Sequence, residues 1–172
     1  MSALANRVKV PVAVLTISAA AFGAWKANEG YSDVAIIPVK GDVPTIGHGS
    51  TRYEDGTRVK MGDRITKQRA EELAKNLLAG DEKEFIATLP GVYLTQGEFD
   101  IYIDFVGQYG IGAWKKSSMR KYLLAGSPIQ ACYALGKYRY VAGYDCSTPF
   151  NKQCPGVWDR QLWRIAQCLQ SQ

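Results

Sequence analysis

At 172 residues, 47% of them hydrophobic and 22% charged, the chain has the length for one compact domain or for two small lobes sharing a core. Its formal net charge of +5 suits an anionic partner such as a membrane surface or a cell-wall polymer. The basic residues are scattered and form no RNA-binding, zinc-finger or basic-helix pattern, which argues against nucleic acid, and repeat or low-complexity architectures are excluded too.

The first element is an apolar segment. Arg7 and Lys9 precede an uncharged run from Val10 to Trp25, which stops at Lys26. Sixteen residues fall short of the ~20 that a helix needs to cross a hydrocarbon core. Pro11, Thr16, Ser18, Gly23 and many alanines make its gain on entering lipid modest. A basic flank, an apolar stretch and small residues are the marks of an export signal. Two outcomes fit: cleavage near Ala19-Ala20-Ala21, or an uncut segment that enters the membrane only metastably. Residues 1–28 are therefore expected to be an N-terminal signal-anchor segment and residues 29–172 the folded domain. A buried N-terminal helix of a soluble protein is the plainer alternative.

Residues 29–60 read as β-rich. Val34 to Val39 is expected as a strand, Lys40-Gly41-Asp42 as a turn, and Pro44 to Gly47 as the return. Thr51 to Glu54, an Asp55-Gly56 turn and Thr57 to Lys60 suggest a second hairpin. The pattern then becomes helical. Thr66 caps a helix with Ala70, Leu73, Ala74, Leu77 and Leu78 on its apolar face, ending at Gly80. Thr95 and Glu98 form a capping box ahead of Phe99, Tyr102, Ile103 and Val106. Ser117 caps a short helix through Tyr122 and Leu123 to Gly126, and Ser127-Pro128 opens the next, which carries Cys132. The final helix shows Trp158, Leu162, Ile165 and Leu169 on one stripe. A small β lobe, a connecting helix and a larger helical lobe make the expected class α+β.

The four cysteines, Cys132, Cys146, Cys154 and Cys168, lie in the last quarter of the chain, and the only histidine is His48. Their spacings are not those of a zinc site. Two disulfides are expected, hence an oxidising compartment. Three pairings are possible. Cys146 and Cys154 bracket a short loop that closes naturally, which would leave Cys132 to join Cys168.

Chemistry is best sought around Glu29. It stands between the apolar segment and the first strand, and Thr45 comes sixteen residues later with Asp33 and Asp42 between them. A glycosidase needs one carboxylic acid to protonate the leaving oxygen and usually a second carboxylate to act on water or on the sugar. A helix end facing a hairpin can hold such a pair, although acidic residues this close together are also common on solvated surfaces. His48 is an alternative general base. Among Tyr102, Tyr109, Trp114, Trp158 and Trp163, most are expected in the core, with a sugar-stacking platform as the other use.

Glu29-Gly30, a strand and turn, and then Thr45-Ile46-Gly47-His48-Gly49 resemble the catalytic signature of phage-type lysozymes. The resemblance continues through Ile65-Thr66 with Ala70-Glu71 and Leu73, then Phe105-Val-Gly and Gly110-Ile-Gly112, then Ser117-Ser118 and Leu124-Ala-Gly126. It closes with Pro155-Gly-Val-Trp-Asp-Arg160 and the last helix. It thus spans residues 29 to about 170 in the family's order. It implies a lysozyme-like fold, a monomer, no cofactor, and inverting hydrolysis with Glu29 as general acid and Thr45 holding the attacking water. The family's usual spacing would put an aspartate at position 38, where this chain has Pro38, and the Glu29-to-Thr45 interval is one residue longer. Asp42 is then the best substitute and Asp33 the second.

The implied activity is that of an endolysin cutting the β-1,4 bond between N-acetylmuramic acid and N-acetylglucosamine. The N-terminal run resembles the signal-arrest-release segments of one endolysin subgroup, which hold the enzyme at the inner membrane until depolarisation frees it into the periplasm. Some members of that subgroup carry a regulatory cysteine in the segment; here none precedes Cys132. Two other readings differ in chemistry. A lytic transglycosylase would use Glu29 alone, and a membrane-tethered wall-binding module would need no catalytic residue.

Overall fold

The computed structural model describes residues 7–38 and 41–172. In chain order the elements are β1 (Val10–Pro11), a 3-10 turn (Val12–Val14), α1 (Ala19–Glu29), β2 (Ser32–Ile36) and β3 (Thr45–Gly47). They continue with α2 (Lys67–Ala87), β4 (Tyr93–Leu94), α3 (Gln96–Lys116), α4 (Ser118–Leu124) and α5 (Pro128–Ala134). A second 3-10 turn (Leu135–Lys137), β5 (Tyr140–Val141), β6 (Tyr144–Asp145) and α6 (Pro155–Gln170) complete the chain. Three antiparallel pairs, β1–β4, β2–β3 and β5–β6, accompany the helices, so the fold is α+β as expected. Two compact units emerge, one of residues 17–83 and one of residues 7–16 with 84–172.

The unit of residues 17–83 forms around Ala35, Ile46, Val59, Ile65, Ala70 and Leu73, all buried. Helix α1 begins where Ser18 Oγ accepts the Ala21 N–H at 3.1 Å, and ends at Gly30, whose φ of +71° stops the helix. Lys26 on α1 reaches Glu71 on α2 at 2.9 Å and holds that carboxyl below the usual range. In the hairpin, Ser32 pairs with Gly47 and Ile36 with Thr45, with an irregularity between. Val39 and Lys40, in the expected strand end and turn, lie outside the described residues. Gly47 has a φ of +64°, and a Cβ there would stand 2.9 Å from Ala70 Cβ. Only glycine meets both demands. The expected second hairpin survives as a tight turn: Tyr53 N–H donates to Thr57 O at 2.8 Å and Val59 N–H to Thr51 O at 3.0 Å.

Thr66 caps α2 as expected, its Oγ1 accepting the Arg69 N–H at 3.2 Å. The helix does not end at Gly80 but runs on to Ala87. Gly80 meets no crowding and keeps a helical backbone. Its entropic cost, about 1 kcal/mol against alanine, is outweighed by the burial that the longer helix gains. Phe85, in the added turns, is fully buried in the second unit, where its ring packs 4.7 Å from Trp114.

That unit is built on Phe85, Leu94, Phe99, Tyr102, Phe105 and Trp114, all fully buried. The Thr95–Glu98 capping box forms in full at the start of α3. Glu98 is fully buried, and its carboxylate also accepts from Gln172 Nε2 at 2.8 Å and pairs with Lys9 at 3.5 Å. Val12 and Leu15, part of the apolar N-terminal run, are buried in this unit too. Among the described residues no helix is long and apolar enough to cross a membrane. Ser117 caps α4 through the Arg120 N–H at 3.1 Å. Ser127 makes no such side-chain bond, so α5 begins on Pro128 alone.

Helix α6 is rotated from the expected stripe. Gln161, Arg164 and Cys168 are the buried positions, whereas Leu162 is 46% and Trp163 48% exposed. Two anchors set this rotation. Arg164 and Arg160 both grip Asp104 of α3 at 2.7 Å, and Cys168 is bonded to Cys132.

Both favoured disulfides are present, Cys132–Cys168 and Cys146–Cys154, with separations of 36 and 8 residues. Loop-closure entropy assigns the longer about 4 kcal/mol and the shorter about 2.5 kcal/mol. Replacing Cys132 and Cys168 together by alanine should therefore lower the thermal midpoint more than replacing Cys146 and Cys154. Calorimetry of the two double variants checks the order; the reverse order would put the stabilisation in the short loop.

Candidate active site

The residues singled out around Glu29 all belong to the unit of residues 17–83. Glu29 is the last residue of α1, and Gly30 turns the chain directly into β2. Three residues after Glu29, Ser32 pairs with Gly47 of β3, so the antiparallel register returns the chain to the helix end. Thr45 lies on β3 opposite Ile36, half-buried, its Oγ1 donating to Ile36 O at 3.4 Å. It has a fixed place near the start of the return strand.

The two candidate second carboxylates are placed differently. Asp42 is exposed just ahead of β3, and its Oδ1 accepts the Val43 N–H at 2.8 Å. Asp33 is exposed on β2, with its backbone carbonyl taking the Ile65 N–H at 2.9 Å. Asp42 precedes Thr45 by three residues.

His48 is 8% exposed, and its Nδ1 is 2.6 Å from the Gly30 carbonyl oxygen. A carbonyl only accepts, so Nδ1 donates. Its ring leans on Tyr31 with centroids 5.6 Å apart. The sequence offered His48 as an alternative general base but gave no sign of this bond, which depends on two backbone turns.

Among the described residues of this unit, Glu54 is the strongly perturbed carboxylate. Glu54 is pushed down to about 2, first by hydrogen bonds from Arg69, at 2.8 and 2.7 Å, and then by one from Asn76. A carboxylate so held is a poor proton donor at neutral pH, and we read it as a structural ion pair. Among the described residues no group of three or more His, Cys, Asp or Glu could hold a metal ion. Of the five aromatics, Tyr102 and Trp114 are core. Tyr109 is tied to the backbone carbonyl of Tyr138 at 3.1 Å. Trp158 is half-buried and Trp163 is 48% exposed.

Comparison with known proteins bears on the same stretch. The family model described as phage lysozyme matches residues 26–162, a span containing Glu29, Asp33, Asp42, Thr45 and His48. No curated protein matches. Among solved structures, the chain is similar to the endolysin from Escherichia coli O157:H7 phage FAHEc1, at 29% identity, covering 92% of this chain and 96% of that one with a TM-score of 0.71. It is also similar to a mutant of P22 lysozyme, at 26% identity over 91% and 99% of the two chains, with a TM-score of 0.70. The muramidase domain of SpmX from Asticaccaulis excentricus shares the fold at 21% identity, over 91% and 97%, with a TM-score of 0.67. With the family model covering most of the sequence and the fold in agreement, the chain belongs to the phage lysozyme family.

Proposed function

We propose that this protein is an endolysin that hydrolyses the β-1,4 bond between N-acetylmuramic acid and N-acetylglucosamine in peptidoglycan, with Glu29 as the general acid. The observation that carries the reading is the match to the phage lysozyme family over residues 26–162, which takes in the α1 end and the whole β2–β3 hairpin. Similar chains are described as an endolysin and a lysozyme, and a net charge of +5 suits an anionic wall polymer. In the proposed reaction Glu29 protonates the leaving glycosidic oxygen. Thr45 and a second carboxylate place and activate water on the opposite face of the sugar, inverting the anomeric centre. A turbidity assay on chloroform-treated Gram-negative cells tests this, with purified protein and a Glu29→Gln control.

Asp42 is the second carboxylate in this scheme. Its turn precedes Thr45 directly, whereas Asp33 is committed to the strand just after Glu29. Asp42→Asn should lower turnover by about 10²-fold or more, and Asp33→Asn should leave it within about twofold. The reverse ranking moves the role to Asp33. Silence at both positions favours a transglycosylase working with Glu29 alone.

The N-terminal run is proposed as a signal-arrest-release segment. Residues 1–28 hold the exported chain at the inner membrane, and release lets the segment join the folded body. Burial of Val12, Leu15 and Phe22, and the pairing of β1 with β4, supply a destination for the released segment. Two disulfides suit the oxidising periplasm. The active enzyme is then monomeric and free of cofactors.

A further inference from the structure

We infer that His48 is a positioning residue for Glu29, acting through the Gly30 carbonyl rather than on substrate. The inference rests on the reading of Glu29 as the general acid. Helix ends fray, and their last carbonyls lack partners within the helix. Gly30 caps α1 immediately after Glu29, and a Cβ built on it would meet nothing within 4 Å. Side-chain packing therefore does not anchor this residue. The 2.6 Å bond from His48 Nδ1 does.

The donor is itself held firmly. His48 lies between Gly47 and Gly49, with φ of +64° and +79°. Reciprocal bonds between Ile46 and Ser50, at 2.9 and 3.0 Å, close this turn. Gly47 abuts Ala70, and the His48 ring leans on Tyr31, whose hydroxyl donates to Ile65 O at 3.4 Å. One hydrogen bond thus links the strand that carries Thr45 to the residue beside Glu29. An acid displaced by about 1 Å can lose on the order of 10²-fold in rate, so this link bears on turnover more than on substrate affinity.

The geometry commits the ring to one form. Neutral His48 must carry its proton on Nδ1 and leave Nε2 bare. A general base working through Nε2 would need that atom at the substrate, and the two roles separate by substitution. Asparagine places its amide nitrogen where Nδ1 stands; glutamine reaches where Nε2 stands.

The test compares the full-length protein with H48N, H48Q and E29Q by turnover and KM on purified peptidoglycan, by melting temperature, and by nitrogen NMR of the imidazole. His48 is the sole histidine, so its two ring nitrogens are read without ambiguity. The expected spectrum of the wild type is the Nδ1–H form. H48N should keep kcat within about threefold, and H48Q should lose about tenfold or more in kcat with KM nearly unchanged. An Nε2–H spectrum would overturn the inference without any variant. So would H48Q outperforming H48N, which would place the function on Nε2. Losses in both variants that track melting temperature would reduce the residue to a structural one. If E29Q stays active, the acid assignment fails and the inference with it. If E29Q is dead while H48Q turns over normally, the inference fails alone.

Discussion

Glu29→Gln is expected to lower the lytic rate by at least about three orders of magnitude, with the melting temperature essentially unchanged. Glutamine keeps the shape of the side chain and its capacity to accept hydrogen bonds, but it has no transferable proton. General acid catalysis alone is worth roughly 10²–10⁴, and in the proposed reaction the negative charge that would develop on Glu29 as its proton leaves, next to an oxocarbenium-like transition state, puts the loss towards the upper end. The turbidity assay gives the rate and calorimetry the stability. A variant that lyses cells at a near-normal rate would remove Glu29 from the mechanism, and a variant that melts far below the wild type would make the loss of activity uninformative about chemistry.

The second large effect is expected from Ala19, Ala20 and Gly23. If the segment acts as proposed, replacing all three by leucine should trap the protein in the inner membrane and abolish lysis although Glu29, Asp42 and Thr45 are unchanged. Three leucines add about 3 kcal/mol to lipid insertion, enough to dominate a marginal equilibrium, in which 1.4 kcal/mol is tenfold. In the folded structure all three positions are exposed, and a Cβ on Gly23 meets nothing within 4 Å. The soluble form should therefore tolerate the leucines, so that a loss of lysis reports on partitioning rather than misfolding. Fractionation before and after depolarisation reads the result. The wild type should move from membrane to soluble fraction and begin at or near Met1, whereas a mature chain starting near Phe22 would make the segment a cleaved signal.

Features decided by neighbouring residues were legible in the sequence. The Thr95–Glu98 capping box, the caps at Thr66 and Ser117, and the closure of Cys146 on Cys154 each depend on a few consecutive positions, and each is found. Features set by distant partners were not. Gly80 looked like a helix end because the gain from burying Phe85 lies five residues further on. Helix α6 looked amphipathic about Leu162, but Asp104 and Cys132 rotate it to bury Gln161 and Arg164 instead. Two-residue strands such as Val10–Pro11 carry no periodicity to read. At the candidate site, Glu29, Asp42 and Thr45 were singled out from their types and order in the sequence, and their roles are proposals. The bond from His48 to Gly30 was not, since it spans 18 residues and relies on left-handed glycines on both sides.

Proposed hydrolysis by water of the bond between N-acetylmuramic acid and N-acetylglucosamine is tested most directly by the products of digestion. Purified peptidoglycan digested with the wild-type protein and analysed by mass spectrometry should yield muropeptides ending in reducing N-acetylmuramic acid, and none should accumulate with Glu29→Gln. Fragments ending in 1,6-anhydromuramic acid, lighter by one water, would contradict hydrolysis and identify a transglycosylase. Unchanged peptidoglycan with the wild-type protein would contradict the enzyme reading itself.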